Sequence, residues 1–598
     1  MRITGVLLPA ILVVGFSACR RGPSEEAARK FVEDAEARLL TLASEASRAQ
    51  WVQATYLTDD TEAIAAQANQ RLTEATVQLA KEAAQYDALE LSGDVARKLR
   101  LLKVAIVLPA PSEPREGAES ARLAARLEAA YGQGRYCPSS NDAECLTIDG
   151  ITRLMASSRD PKELQRAWEG WHAIGRPMRD DFRKLADLTN RGARELGFQD
   201  AGQLWRSKYD MPPADFAREC ERLWEQVKPL YVKLHTYVRW KLRENYGPEL
   251  VPERGPIPVF LLGNLWAQEW GNIYPLVAPK GGGGAYDLTS ILKTRKATAH
   301  QMVKYGESFF LSLGFPPLPK TFWSRSLFTR PSDREVVCHA SAWDVDNVDD
   351  LRIKMCIDTT EEDFRTIHHE LGHNFYQRAY NRQPFLYRDS ANDGFHEAIG
   401  DTIALSVTPE YLVKIGLLER APAADQDIGW LLKQALDKVA FLPFGLMIDQ
   451  WRWRVYSGEI RPDQYNQTWW ELKWRFQGVA PPPERGEQHF DPGAKYHVPA
   501  SVPYTRYFLA HILQFQLHKA LAETAGCREA LHRCSIQGSA EAGGKLRTLM
   551  SAGLSQPWQA SLNRVAGADK LDAAALRAYF APLEKWLDEQ NAGKPEGW

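Results

Sequence analysis

His369-Glu370-Leu371-Gly372-His373 sets two histidines at i and i+4, so on a helix both imidazoles leave one face side by side. Neutral imidazoles so arranged are metal ligands, and Glu370 is a carboxylate held beside whatever they bind. With 13 His and 76 acidic residues among 598, chance supplies about 0.04 such strings. His368 has no partner histidine four residues away and reads as a packing or solvent-facing side chain. A hydrolytic zinc site takes a third protein ligand, another His or a carboxylate. In Gly394-Phe395-His396-Glu397-Ala398-Ile399-Gly400-Asp401 the carboxylates Glu397 and Asp401 again stand at i and i+4. Glu397 is the expected third ligand, and Asp401 is expected to accept the second N–H of a ligand histidine and so fix its tautomer.

Helices must carry these residues. Thr360, with Asp363 three residues on and Glu361 and Glu362 between, is a capping-box-like start for the His369–His373 helix. Ala-, Glu-, Arg- and Leu-rich spacing from Ser24, a cap candidate, to about Leu91 predicts long antiparallel helices. Helical patterns recur over 161–196, 214–246, 504–525 and 572–590. The exception is 335–358, where Ile353, Met355 and Ile357 alternate with Lys354 and Cys356, predicting two short strands. The four glycines 281–284 lack the Lys-Ser/Thr ending of a phosphate loop and read as a flexible surface loop, and Pro481–Pro483 marks another. The fold class is mostly α, with a short β-hairpin beside the metal helix. No repeat or linker divides the mature chain.

Hydrophobic residues at 44%, charged at 25% and a net charge of −2 describe a globular chain with no broad attraction to nucleic acid or anionic lipid. At the N-terminus, Met1 and Arg2, an apolar stretch from Ile3 to Phe16 and then Ser17-Ala18-Cys19 form a secretory signal too short to span a bilayer comfortably. Phe16-Ser17-Ala18-Cys19 resembles a bacterial lipoprotein box, with Phe16 where an aliphatic residue is usual. The expectation is a signal over 1–18, an acylated Cys19 and one catalytic domain over 19–598. The protein is then exported, either anchored in the periplasm or at the outer membrane, or secreted; membrane contact comes only through the lipid. Oxidising surroundings make the other cysteines disulfide candidates. Cys137 with Cys145, Cys338 with Cys356 and Cys527 with Cys534 close short loops and leave Cys220 as a buried thiol.

The strings Leu261 to Gln268, Cys338 to Asp344, His369 to His373, Gly394 to Asp401, Val439 to Gly445 and Lys495 to Tyr507 together resemble the angiotensin-converting enzyme family of zinc peptidyl-dipeptidases over most of the mature chain. The three cysteine pairs also fall where that family's disulfides do. The resemblance implies a single large helical ellipsoid split by a deep central cleft with one zinc at its floor. His369, His373 and Glu397 match the zinc ligands and Glu370 the general base. Tyr507 and His497 match the donors that stabilise the tetrahedral intermediate. His339 and Ala340 match the strand that aligns the substrate backbone. Gln268, Lys495 and Tyr504 match a clamp on the substrate's terminal carboxylate. Tyr209 and Arg506 match a chloride site, but Lys473 stands where Arg is expected at another, and His511 occupies an aromatic position.

The expected activity is release of C-terminal dipeptides from oligopeptides with a free C-terminus. Relatives that remove one residue carry Arg at the position of Gln268, so Gln268 favours dipeptides over the alternative, a single-residue zinc carboxypeptidase. A non-catalytic zinc-dependent peptide binder would be expected to lack the base or a ligand, and every such position is filled.

Overall fold

The computed structural model describes residues 23–139, 144–279 and 286–598. The signal segment with Cys19 and the glycine run 281–284 lie outside the described residues. The chain is 66% helical with 3% strand, the mostly-α class the periodicities predict. Ser24 caps the helix Glu25–Thr55, and a capping box at Thr58 starts its antiparallel partner Asp59–Ala83. This hairpin has its own small apolar cluster around Val32, Leu39 and Leu79. A second, far larger core runs from Val104 to Leu587. The 161–196 pattern divides into Pro161–His172 and Arg179–Glu195 around a short turn containing Pro177, which has no N–H to continue the ladder.

At the centre lies Asp427–Tyr456, buried continuously from Val439 to Trp453. Over Val439–Met447 it is apolar on every side, as an enclosed helix must be, while Lys433, Asp437 and Lys438 in its first half face cavities. Three further helices are packed around the site: Glu361–Tyr380 against Asp393–Leu405, which in turn packs against Thr505–Thr524. The first pair approaches closely because glycine faces glycine. A Cβ on Gly372 would come 2.8 Å from the Gly400 Cα, and one on Gly400 would come 2.8 Å from the His369 ring.

The hairpin forms, but shorter than its alternation suggests. Ser341–Asp344 pairs antiparallel with Leu351–Lys354, while Met355 and Ile357 leave this ladder and donate to Leu327 and Phe328 carbonyls. His339 and Ala340, expected on the strand, precede it. The cause is Lys354: its buried ammonium takes the carbonyls of Val337 and His339 at 2.7 and 2.6 Å, so both point at a side chain instead of a neighbouring strand. All three expected disulfides are formed, Cys338–Cys356 tying the hairpin ends and Cys220 remaining a buried free thiol. Among the described residues no helix is long and apolar enough to cross a membrane.

Candidate metal centre

Thr360 caps the Glu361–Tyr380 helix by accepting from the Asp363 N–H at 3.1 Å. Asp363 does not complete the box; its carboxylate accepts from the Asp358 N–H. Two turns on, the Nε2 atoms of His369 and His373 converge to 3.0 Å. Among the described residues, His369, Glu370 and His373 form the group whose ligand atoms all lie within 4.8 Å of one another. Glu397 stands just outside it, its Oε2 3.7 Å from His369 Nε2. A tetrahedral ion with nitrogen ligands at about 2.0–2.1 Å needs them about 3.3 Å apart, close to the 3.0 Å between the two imidazoles.

The second nitrogens are also fixed. His369 Nδ1 lies 3.1 Å from Asp401 Oδ1, as expected, and Lys438 donates to the other Asp401 oxygen at 3.0 Å. Burial pushes the Asp401 carboxyl up, but Lys438 and His369 outweigh it and hold it well below the usual carboxylate range. Burial pushes His369 down, but Asp401 more than reverses this and lifts it to about 9. His373 is held low by burial and by the His369 charge. Two partners escaped the sequence reading. His373 Nδ1 faces His396 Nδ1 at 2.9 Å, and the other His396 nitrogen meets the Tyr380 hydroxyl at 3.1 Å. His396 adjoins Glu397 in a string already singled out, so adjacency could have flagged it; nothing in sequence ties Lys438 to Asp401. His368 packs, buried, between the Phe364 carbonyl and the Tyr411 hydroxyl.

Glu370 is 7% exposed, and burial followed by the Glu397 charge raises its carboxyl, which makes it a stronger base. It lines a cavity of about 510 Å³ with His339, Ala340, His369, Asp401 and Lys438. His497, Tyr504 and Tyr507 form an aromatic group, with ring centroids 4.6 Å apart for His497–Tyr504 and 5.0 Å for Tyr504–Tyr507. Burial lowers His497 to about 3 and raises Tyr507, leaving a neutral imidazole and a protonated phenol. The central helix positions them. Arg452 donates to the His497 and Val502 carbonyls at 2.7 and 2.6 Å, and Asp449 accepts from the Tyr504 and Thr505 N–H groups at 2.7 Å.

Gln268 and Lys495, 227 residues apart, meet directly: the ammonium donates to the Gln268 carbonyl oxygen at 2.5 Å. Lys495 lies over the rings of Trp266 at 4.0 Å and Tyr504 at 5.5 Å. Lys473 is buried beneath them and donates to the Trp266 carbonyl at 3.0 Å and to Gln477 at 2.8 Å, while Gln477 donates to the Ala267 carbonyl. These bonds hold Ala267 at φ 52°, a left-handed conformation that aims Gln268. His511 stacks on Phe441 at 4.4 Å. Tyr209 and Arg506 do come together, but around an internal carboxylate: Asp393 lies 3.5 Å from both Arg506 and Lys208.

The family model described as Peptidase_M2, angiotensin-converting enzyme, matches residues 22–598. The angiotensin-converting enzyme of Bos taurus is 41% identical over 581 residues, covering 96% of this chain and 44% of the relative. That of Rattus norvegicus is 47% identical over 483 residues, 80% of this chain and 37% of the relative. That of Theromyzon tessulatum is 41% identical over 560 residues, 93% of this chain and 90% of the relative. The chain therefore spans less than half the length of the two mammalian relatives and nine tenths of the third. With its converging histidines, paired carboxylates and match along nearly its whole length, this chain belongs to the angiotensin-converting enzyme family.

Proposed function

We propose that the protein is a zinc peptidyl-dipeptidase, binding one zinc through His369, His373 and Glu397 and releasing C-terminal dipeptides from oligopeptides. The observation that carries this reading is the convergence of the two Nε2 atoms to 3.0 Å with Glu370 in the same group. When bound, zinc polarises the scissile carbonyl and acidifies water. Glu370, its carboxyl already raised, takes the water's proton and returns it to the leaving amine. Tyr507 and His497 donate to the oxyanion that develops on the carbonyl. His339 and Ala340, on the cavity wall, align the substrate backbone. Lys495, Gln268 and Tyr504 hold the terminal carboxylate. An extended residue spans at most about 3.3–3.6 Å, so the clamp's distance from the metal sets the register, and neutral Gln268 leaves room for two residues.

A chloride seated at Tyr209 and Arg506 would share Arg506 with Asp393, so little chloride activation is expected. The Cys19 lipid anchor rests on the N-terminal string, and the mass of the mature N-terminus tests it. The deciding experiment is mass analysis of products from a free-ended peptide and its C-terminal amide, with and without a chelator. Loss of two residues together, weak cleavage of the amide and abolition by chelator are expected. Single amino acids as first products would make the protein a single-residue carboxypeptidase.

A further inference from the structure

The two histidines of the metal pair are backed differently on their far sides. His369 Nδ1 faces the Asp401 carboxylate, an acceptor, which fixes a ring proton on Nδ1 and assigns Nε2 to a metal. His373 has no such carboxylate. Its Nδ1 lies 2.9 Å from Nδ1 of His396, and across such a contact one ring nitrogen donates and the other accepts. His396 Nε2 lies 3.1 Å from the Tyr380 hydroxyl. His373, Tyr376 and Tyr380 stand at i, i+3 and i+7 on one face of the Glu361–Tyr380 helix, and His396 reaches them from the Asp393–Leu405 helix, beside Glu397. The ring of His396 is gripped there. Its centroid is 4.8 Å from that of Tyr376, whose own hydroxyl accepts the Ala391 N–H at 3.0 Å, and the Tyr380 contact keeps Nδ1 turned toward His373.

One proton lies between His373 and His396, and its position decides whether His373 can be a ligand. With the proton on His373 Nδ1, His396 accepts it and carries its own on Nε2, toward the Tyr380 oxygen. His373 Nε2 then keeps its lone pair, 3.0 Å from Nε2 of His369. With the proton on His396 Nδ1, a neutral His373 carries its own on Nε2, and the lone pair is gone. We propose that His396 is a positioning residue that accepts the His373 proton, holds that ring in the ligand tautomer and thereby sets the affinity of the site for zinc. The inference rests on the zinc reading above. It gives the second ligand histidine a neutral imidazole where the first has a carboxylate.

The test is the zinc dissociation constant of metal-stripped protein, measured by competition with a chromophoric chelator, together with melting temperatures with and without zinc. His396→Leu should weaken zinc by about 10- to 100-fold, the usual loss when the group behind a ligand histidine is removed, and the rise in melting temperature on adding zinc should shrink with it. His396→Asn puts an amide oxygen near the place of Nδ1 and should recover most of the affinity, because acceptance is what the ligand requires. Unchanged zinc affinity in His396→Leu, a melting temperature lowered equally with and without zinc, or a His396→Asn variant that binds zinc as poorly as His396→Leu overturns the proposal. Unaltered protein that binds no zinc overturns it together with the zinc reading, whereas tight binding indifferent to His396 leaves that reading standing.

Discussion

At the scale of single residues the proposed reading divides the site into groups that hold a metal and groups that move or meet charge. The proposal puts Glu370 in the second class: it shares the cluster with the histidines, is buried, and its carboxyl is raised. Glu370→Gln should therefore keep zinc, measured as metal per chain, while turnover falls by about 10²- to 10⁴-fold, the usual contribution of a general base. Loss of zinc in that variant would make Glu370 a ligand. Lys495 supplies a pH test. Burial lowers its ammonium to about 7, and only the charged form holds a carboxylate. Above pH 7 the free pocket loses this proton and a binding peptide must restore it, so KM should rise with pH by up to about tenfold per unit. Below pH 7 no such rise is expected. The wild-type to Lys495→Gln ratio of KM values isolates the effect, because ionisations shared by both proteins cancel.

At the scale of elements, two glycines and one buried ion pair set the geometry. Gly372 and Gly400 let the helices that carry His369, His373 and Glu397 touch backbone to backbone. Gly372→Ala forces them apart, and overpacking of this kind costs about 1–3 kcal/mol; the expected outcome is a lower melting temperature together with weaker zinc binding. Unchanged zinc affinity at reduced stability would show that the contact supports the fold alone. Asp449 and Arg452, with side chains 2% and 0% exposed, bond the loop from His497 to Thr505 to the central helix. One helix thereby places the oxyanion candidates, while another, capped at Thr360, places the metal pair.

At the scale of the molecule, the centre gathers residues from Gln268 to Tyr507 and joins helices within one continuous core. A ligand that binds only the folded arrangement stabilises it by mass action, by about 4 kcal/mol at a thousandfold excess over its dissociation constant. Chelation should lower the melting temperature and abolish hydrolysis, and restored zinc should recover both. A melting curve indifferent to zinc would place the metal outside the folded site.

The local arrangements were legible in the sequence because they depend on helical periodicity and short spacing. His369 and His373 share a face wherever a helix forms, Thr360 caps it, and Glu397 and Asp401 repeat the i, i+4 geometry. Cysteine pairs closing short loops were legible for the same reason, since few residues separate their ends. Contacts between distant segments were decided only by packing. Lys438 on Asp401, His396 behind His373, Lys354 drawing His339 off the ladder, and the Asp449–Arg452 pair under the 497–505 loop leave no periodic trace. A buried polar group must find a partner wherever the fold brings one, and no local pattern records which residue that will be.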